Sequence, residues 1–331
     1  MTSISNVTPQ LRRTWHPVGR LDEFTEVPTR VELIGQGYVI VRVDGRLEAF
    51  ADVCPHRFAR LSDGRLVDNL LECPYHGWRF DSEGRCAHVP ALGDGATLPP
   101  ARLTRPHLRE QYGLLWLAPD DPVSDLIHIP EWDDPSLTKV WLPVVDINAG
   151  AAQAIDNFLD FSHFPFVHSG TFGTDDDRLV HEYSTQRTDD GWGFIVDYPH
   201  VIENHEDPKV ASGEHPLVQP RVMRYEYRAP FAANLRLELP MTGMVNAIIM
   251  MCQPMTLERT RMYMLMLRND CHTPEQIRDA IDYEMKVFDE DLRVIEFLRD
   301  KEVPLDRGQV HIRSDRHTVE YRRILNRLVE T

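Results

Sequence analysis

Short runs of β-forming residues, separated by turn signals, fill the chain from about residue 15 to residue 117. Residues 38–43 (YVIVRV), 47–53 (LEAFADV) and 113–119 (GLLWLAP) are rich in branched and aromatic side chains, and Gly residues and Asp-Gly pairs separate such runs. Runs of this length between turn residues indicate strands. The pattern therefore predicts a small all-β domain over residues 12–120, followed by a Pro- and Asp-rich boundary.

The pattern changes after about residue 141. Residues 148–164 (NAGAAQAIDNFLDFSHF) predict a helix that must end where Pro165 follows. Several strand-like runs come next, and a long helical pattern then extends from about residue 275 to 298, opened by the capping sequence TPEQ. One helix, an antiparallel sheet and a closing helix predict an α+β domain over residues 136–331.

Composition narrows the class of protein. The net charge of −16 disfavours nucleic acid and anionic membranes as partners. The sequence has no apolar run of about 18 residues, and its first residues lack the apolar core of a signal peptide. Five cysteines in 331 residues argue against a disulfide scaffold. We expect a cytoplasmic globular protein.

Two short motifs each supply one thiolate and one imidazole. Cys54-Pro-His56 is followed, with sixteen residues in between, by Cys73-Pro-Tyr-His76. Two such loops can bind one iron through both thiolates and the other through both imidazoles, which is the ligation of a Rieske [2Fe–2S] cluster. The alternative is a structural zinc site, but zinc-finger spacing pairs Cys with Cys and His with His. The sequence therefore predicts a Rieske cluster.

A second group of residues suits a mononuclear metal. Asp160 and His163 share one face of the first predicted helix, and His168 follows past the helix-ending proline. Non-haem Fe(II) that activates O₂ uses two His and one carboxylate. Asp291 lies inside an apolar stripe of the C-terminal helix, where an unpaired carboxylate is costly, but Glu284 has similar neighbours, so pattern alone leaves both open. Taken alone, the histidines also suit an aromatic core.

Together the motifs resemble the Rieske non-haem iron oxygenases, in particular the α-subunits that lack a β-subunit. The resemblance rests on the Cys-X-His and Cys-X-X-His loops and on Asn157-X-X-Asp160-X-X-His163-X₄-His168. The segments NFLDFSHFPFVHSGT and VFDEDLRVIE look most like the O- and N-demethylase branch, which includes vanillate, dicamba and caffeine demethylases. The resemblance covers nearly the whole chain.

The resemblance implies roles that the residues alone do not settle. It places the family's carboxylate ligand on Asp291 and matches Asp160 to a bridging aspartate, which links a cluster-ligating His of one subunit to an iron-ligating His of the next. The alternative for Asp160 is a solvent-facing helix residue. Asn157 matches a residue near the iron that does not firmly ligate it. The catalytic domain is expected to be a helix-grip fold, and the assembly a head-to-tail homotrimer.

The implied function is that of a terminal oxygenase. We expect O₂ as co-substrate and electrons from NAD(P)H, delivered through a ferredoxin or flavin reductase, to hydroxylate or demethylate a small aromatic or heterocyclic compound. A ring-dihydroxylating dioxygenase is the alternative within the class. Two alternatives belong to other classes of protein. In an electron-transfer protein the second metal motif would have no explanation. In a redox-sensing binding protein the mononuclear metal site would be empty.

Strand-like runs rich in methionine offer candidates for a substrate pocket, because flexible thioethers suit an irregular apolar cavity. A plain core is the simpler explanation for each residue, since strand alternation turns only one face to a cavity. Asn234 stands out as a polar side chain in the apolar run FAANLRL. The candidates are Phe231, Asn234, Leu237, Met244, Ile248, Met250, Met264 and Met266, of which Phe231, Asn234, Ile248 and Met250 are preferred.

Overall fold

The structure is a computed structural model that describes residues 2–93, 95–173, 178–205 and 207–331. It divides into two compact units. The smaller unit consists of Leu11–Val123 together with Pro254–Thr256, and the larger unit contains Ser124–Gln253 and Leu257–Thr331 with the N-terminal segment. Among the described helices, none is both long and apolar enough to cross a membrane.

The described part of the smaller unit is built from antiparallel strands. Strands β10, β11 and β2 form one sheet, β3 to β5 a second, and β6 to β9 a third. Its core contains Val39, Val41, Phe50, Leu71 and Phe80, all fully buried, and both motif cysteines pack in this cluster. The strands of this unit are β2 (His16–Arg20), β3 (Thr29–Leu33), β4 (Gln36–Val43), β5 (Arg46–Ala51), β6 (Arg65–Val67), β7 (Leu70–Glu72), β8 (Arg79–Phe80), β9 (Cys86–His88), β10 (His107–Gln111) and β11 (Leu114–Ala118), whereas β1 (Ser3–Ile4) belongs to the larger unit.

The larger unit is organised around an antiparallel sheet in which eight strands can be described. Their order is β12-β19-β18-β17-β16-β15-β14, and β13 also pairs with β19. Strand β1 pairs separately with β20. The strands are β12 (Thr138–Trp141), β13 (Val145–Ile147), β14 (Thr185–Arg187), β15 (Gly193–Glu203), β16 (Val218–Arg228), β17 (Ala232–Leu239), β18 (Met244–Pro254), β19 (Thr260–Arg268) and β20 (Val303–Pro304). Long strands of this kind give the sheet one continuous inner face.

The register of three central strands decides which side chains share that face. Met223 of β16 lies opposite Leu237 of β17, and Leu237 lies opposite Asn246 of β18. Because side chains alternate along a strand, these three residues and their neighbours at every second position point the same way. Asn234 lies opposite Ile249, an odd number of positions from Asn246 on β18, and therefore belongs to the other face.

The helices are α1 (Ala151–Leu159), α2 (Phe164–Val167), α3 (Pro208–Ala211), α4 (Pro274–Ile295) and α5 (Arg316–Glu330). The long helix expected near residues 275–298 is α4, and the Thr273 cap with Gln276 forms the expected capping box. Helix α5 was not predicted. Its Arg322 forms two hydrogen bonds with the Asp156 carboxylate of α1, of 2.7 and 2.6 Å, and so connects α1 to α5.

The single helix predicted over residues 148–164 is wrong, because the chain leaves the helix at Asp160. That residue is extended (ψ 139°), and its carboxylate accepts hydrogen bonds from the amide and hydroxyl of Ser162. A local side-chain to backbone bond of this kind competes with helix continuation. Pro165 then lies in the first turn of α2, where its missing N–H costs nothing. The break places His163 and His168 at either end of α2.

Candidate functional site

Two loops of the smaller unit have matching backbone geometry. The amide of Phe58 donates to the carbonyl of Cys54 at 2.9 Å, and the amide of Gly77 donates to that of Cys73 at 3.1 Å. Phe58 (φ 59°) and Gly77 (φ 69°) both adopt the left-handed conformation, which a non-glycine residue rarely does. The two Cys-containing loops therefore turn in the same way around one space.

The four candidate cluster residues converge from these loops. Cys54 and Cys73 are buried, and the Cys73 sulfur is close enough to help raise the pKa of the Cys54 thiol. The rings of His56 and His76 lie 4.5 Å apart, and Trp78 stacks on His56. His76 is exposed, whereas His56 is half-buried. The arrangement has both thiols inside and both imidazoles towards the surface.

These donors fit a Rieske cluster. The Nδ1 atom of His56 is buried and has no hydrogen-bond partner among the described residues, as expected for a nitrogen whose partner is a metal. Burial raises the pKa of the Cys54 thiol to about 11, so without a metal ion the thiol keeps its proton at neutral pH. Two thiolates and two imidazoles are the ligands that a Rieske cluster requires.

A second constellation lies in the larger unit, where three donor atoms form a nearly equilateral triangle. The Nε2 atoms of His163 and His168 are 3.1 Å apart, and each is 3.3 Å from Oδ1 of Asp291. The Oδ1 atom of Asp291 is buried without a hydrogen-bond partner among the described residues. Two His and one carboxylate converging on one point make the facial triad of non-haem Fe(II) sites, so these residues fit such an ion.

The environment of His163 favours its charged form when no metal is bound. Burial lowers its pKa, but the carboxylates of Asp160 and Asp291 outweigh burial and raise the pKa to about 9. The Nδ1 atom of His163 lies 3.2 Å from Oδ2 of Asp160. The other ring nitrogen, Nε2, therefore points towards His168 and Asp291. At neutral pH a metal ion must therefore displace a proton from His163.

Sequence reasoning missed the partner of the other histidine. Glu290 was not among the residues proposed from the sequence, but its Oε2 lies 2.9 Å from Nδ1 of His168 and accepts a 2.8 Å hydrogen bond from Thr171 Oγ1. A carboxylate on the second nitrogen of a ligating imidazole fixes its tautomer and orientation. The only sequence signal for this role was that Glu290 is next to Asp291. Its contact with His168 depends on how α4 packs against the segment that carries the two histidines.

We expect Glu290→Gln to weaken Fe(II) binding by about 10- to 100-fold, because the neutral amide no longer holds the His168 ring by a charged bond. Competition with a chelator measures the affinity directly. The control is Asp289→Asn, which removes an exposed carboxylate from the preceding position of α4. Equal iron affinity in Glu290→Gln and the parent protein would exclude the orienting role.

A cavity opens beside the triad, between the sheet and α4. Its empty space is about 960 Å³ when the open solvent at its mouth is counted, and His163, His168 and Asp291 form part of its wall. Five of the eight sequence candidates line it: Leu237, Met244, Ile248, Met250 and Met264. The polar side chains Arg221, Asn246 and Arg268 also line it and were not proposed from the sequence.

Phe231 and Asn234, two of the four preferred candidates, are not among the lining residues of this cavity, and neither is Met266. The Nδ2 atom of Asn234 donates to Oε2 of Glu131 at 3.3 Å, on the opposite face of the sheet. The substrate-contact role expected for Phe231 and Asn234 is therefore wrong for this cavity, and the register explains why. Asn157 also stays outside it, although the neighbouring Phe158 contributes to the wall.

Two cysteine–histidine loops on a β domain, with a separate two-His-one-carboxylate triad under a sheet, define a Rieske non-haem iron oxygenase. Comparison with known proteins agrees. Residues 14–100 match the Rieske [2Fe-2S] domain, and residues 147–331 match the vanillate O-demethylase oxygenase C-terminal domain. The second match covers more than half of the chain, so the chain belongs to the vanillate O-demethylase oxygenase family.

Several curated relatives share this architecture. The methylxanthine N3-demethylase NdmB of Pseudomonas putida is 28% identical, covering 95% of this chain and 88% of that one. The dicamba O-demethylase oxygenase component of Stenotrophomonas maltophilia is 34% identical over 52% of each chain. The structure of Pseudomonas putida NdmA with caffeine matches with a TM-score of 0.86 at 28% identity, covering 98% of this chain and 93% of that one.

These findings confirm the predicted family, fold class and cofactors. The protein is the oxygenase component of a multicomponent Rieske system, an oxidoreductase that carries a [2Fe–2S] cluster and a mononuclear iron. It acts on a small molecule with O₂ and with electrons from a ferredoxin or reductase partner. The demethylase relatives favour a hydroxylating or demethylating oxygenase over a dihydroxylating dioxygenase, an electron carrier or a redox-sensing binding protein.

Proposed function

We propose that this oxygenase removes an O- or N-methyl group from a small aromatic or heterocyclic substrate. The observation that carries the proposal is the apolar cavity that reaches the donor triad, with Ile248, Met250 and Met264 in its wall. Side chains of this kind suit contact with a flat ring, and a methyl group directed at His163, His168 and Asp291 would lie next to the proposed iron. The demethylase relatives named above support this choice.

The reaction balances as hydroxylation followed by collapse. The methyl C–H is converted to C–OH with one oxygen atom of O₂, and the other leaves as water after two electrons and two protons are supplied. The resulting hemiacetal or hemiaminal loses formaldehyde, leaving a hydroxyl or N–H on the substrate. The iron, when bound, supplies the activation of O₂ in this scheme. The cavity contributes by orienting the methyl carbon and excluding water from it.

The proposed ligands follow from the two sites. Cys54, His56, Cys73 and His76 would hold the cluster. His163, His168 and Asp291 would hold the iron at the wall of the cavity, where it would supply oxidative chemistry next to the substrate. Asp160 and Glu290 would orient the two imidazoles from behind. Asn157 is half-buried on α1, and it would lie near the iron without firmly ligating it.

We further propose a head-to-tail homotrimer, in which the exposed His76 of one subunit docks near Asp160 of the next. Asp160 supports this role because its carboxylate, although held by His163 and Ser162, remains 28% exposed. A groove on the larger unit, lined by Ser162, Phe166 and Tyr183 among others, adjoins it. Phe166 is largely exposed there and suits burial against another chain.

A single-turnover experiment tests the function. The iron-loaded protein is reduced without a reductase, mixed with O₂ and a panel of methoxy- and N-methyl-arenes, and analysed by mass spectrometry. We expect formaldehyde in proportion to the reduced sites, together with the demethylated ring. Oxygenated product without formaldehyde, from any member of the panel, would identify a ring or side-chain hydroxylase instead.

A further inference from the structure

A buried histidine of α5 contacts the residues on both sides of Asp160. We propose that His317 is a positioning residue, which fixes the end of α1 and thereby holds the Asp160 carboxylate against His163. The inference rests on the role proposed above for Asp160, because His317 is inferred to act through that carboxylate. His317 itself is not among the residues that line the cavity.

The first contact is a hydrogen bond at the end of α1. Leu159 is the last residue of that helix, so its carbonyl oxygen has no partner within the helix. The Nε2 atom of His317 donates to this oxygen, and both residues are fully buried. Because a buried carbonyl without a donor is costly, this bond fixes the position at which the helix ends, one residue before Asp160.

The second contact is an aromatic stack on the residue that follows Asp160. The ring centroid of His317 lies 4.2 Å from that of Phe161, with an angle of 11° between the two planes. Tyr198 also stacks on Phe161, at 4.6 Å and 14°. Two nearly parallel rings therefore restrict the Phe161 side chain. Asp160 lies between two residues that His317 holds, which leaves few backbone rotations to redirect its carboxylate.

The ring of His317 is oriented by its other nitrogen. Burial lowers the pKa of His317 to about 4, so the imidazole is uncharged at neutral pH and carries one ring proton. A carbonyl oxygen only accepts, so that proton is on Nε2 and Nδ1 is an acceptor. The hydroxyl of Tyr183 lies 2.5 Å from this Nδ1 and 2.5 Å from the carbonyl oxygen of Ser314, just before α5. Tyr183 therefore holds the ring in the orientation that directs Nε2 at α1.

Tyr183 also connects His317 to the surface proposed for docking of the neighbouring subunit. It lines the groove that contains Ser162 and Phe166, and its ring centroid lies 5.2 Å from that of Phe161. A subunit bound in this groove would contact the same residues that hold Asp160 in place.

Helix α5 holds α1 at another point, which provides a matched comparison. Tyr321 comes one turn after His317 on α5, and both are fully buried. The Tyr321 hydroxyl donates to the carbonyl of Ala152 at 3.0 Å, in the first turn of α1. Both side chains thus bind a backbone carbonyl of α1, but Ala152 is at the end of the helix remote from Asp160.

Iron affinity tests the positioning role without turnover. His317→Phe keeps an aromatic ring beside Phe161 but leaves the Leu159 carbonyl without its donor. We expect the Fe(II) affinity, measured by competition with a chelator, to fall about tenfold, as in Asp160→Ala, because His163 is no longer well oriented. His317→Gln keeps a side-chain N–H in place of Nε2 and should recover most of the affinity. Tyr321→Phe is the control and should stay within about twofold of the parent protein.

A double variant shows whether His317 acts through Asp160. In the Asp160→Ala background, His317→Phe should change the iron affinity and the rate of cluster reoxidation by less than about twofold, since an absent carboxylate cannot be misplaced. Effects that multiply in the double variant would overturn the inference. Parent-like affinity in His317→Phe would do the same, and so would equal losses in His317→Phe and Tyr321→Phe, which would mean that α5 serves packing alone.

Tyr183→Phe gives a second route to the same answer if His317→Phe does not fold. It keeps the donor to Leu159 but removes the hydroxyl that orients the His317 ring. Its iron affinity should fall at least twofold below that of Tyr321→Phe, and equal affinities in these two variants would overturn the inference.

The positioning role and the bridging role fail in distinguishable ways. Parent-like cluster reoxidation in Asp160→Ala, with iron affinity lowered equally in Asp160→Ala and His317→Phe, would overturn the bridging role and leave the positioning role standing. Slow reoxidation in Asp160→Ala, with parent-like reoxidation and iron affinity in His317→Phe, would do the reverse.

Discussion

Replacing Asp291 by alanine is expected to remove the mononuclear iron and to abolish product formation, while the cluster spectrum stays unchanged. Asp291 Oδ1 completes the triangle with the two imidazole nitrogens at 3.3 Å from each, and two neutral imidazoles alone hold Fe(II) weakly. The cluster residues belong to the smaller unit, so their ligation does not depend on this carboxylate. Iron analysis combined with the visible spectrum measures both sites in one sample.

The control for this variant lies two residues earlier on α4. Asp289→Ala removes an exposed carboxylate from the same helix and should keep full iron content and activity. The Asp160 carboxylate still lies 3.2 Å from His163 in this variant, so loss of iron is not expected to unfold the unit. Retention of one mononuclear iron per chain in Asp291→Ala would show that another group, such as Glu284, is the third ligand.

Most of the proposed metal-binding residues could be brought together from the sequence because their signals are local. Cys54 and His56 lie on one turn and Cys73 and His76 on another, so spacing alone shows which donors can meet. His163 and His168 are likewise close in sequence. The third ligand is 123 residues beyond His168, and pattern left Asp291 and Glu284 open until the resemblance to a family chose between them.

The substrate side of the site was less predictable because it depends on strand register. Asn234 and Asn246 are both polar residues in apolar strands, yet only Asn246 lies on the cavity face. One signal was available in β17, where Asn234 alternates with Arg236 and Glu238 and so belongs to the more polar face. Arg221 offered no comparable signal, since a charged residue in a strand is usually solvated.

The contact between Glu290 and His168 illustrates a different limit. Consecutive residues of a helix point about 100° apart, so Asp291 facing the triad implied that Glu290 faced elsewhere. The longer Glu290 side chain nevertheless reaches the far nitrogen of His168, because that ring lies beside α4. Helix periodicity gives the direction in which each side chain leaves the helix, but it does not show which other residues lie there.

Replacing Asp160 by asparagine is expected to lower turnover by about 100-fold and to leave both metal sites filled in protein loaded with excess Fe(II), even where its iron affinity falls as in Glu290→Gln. Burial would raise the pKa of Asp160, but hydrogen bonds from His163 and Ser162 outweigh it and hold the pKa at about 2. The residue is therefore negatively charged throughout the neutral range. The amide keeps the shape and can still accept from His163, so the variant removes the charge and little else.

The assay must separate slow chemistry from slow electron delivery. Stopped-flow reoxidation of the reduced cluster, in the presence of O₂ and substrate, should slow in Asp160→Asn by the same factor as product formation, because the bridging role places Asp160 between cluster and iron. Ser162→Ala is the matched control: it removes a 2.8 Å hydrogen bond to the other carboxylate oxygen and leaves the bond to His163 intact. Turnover at the parent rate in Asp160→Asn would disprove the bridging role, and slow product formation with fast cluster reoxidation would restrict Asp160 to orienting His163.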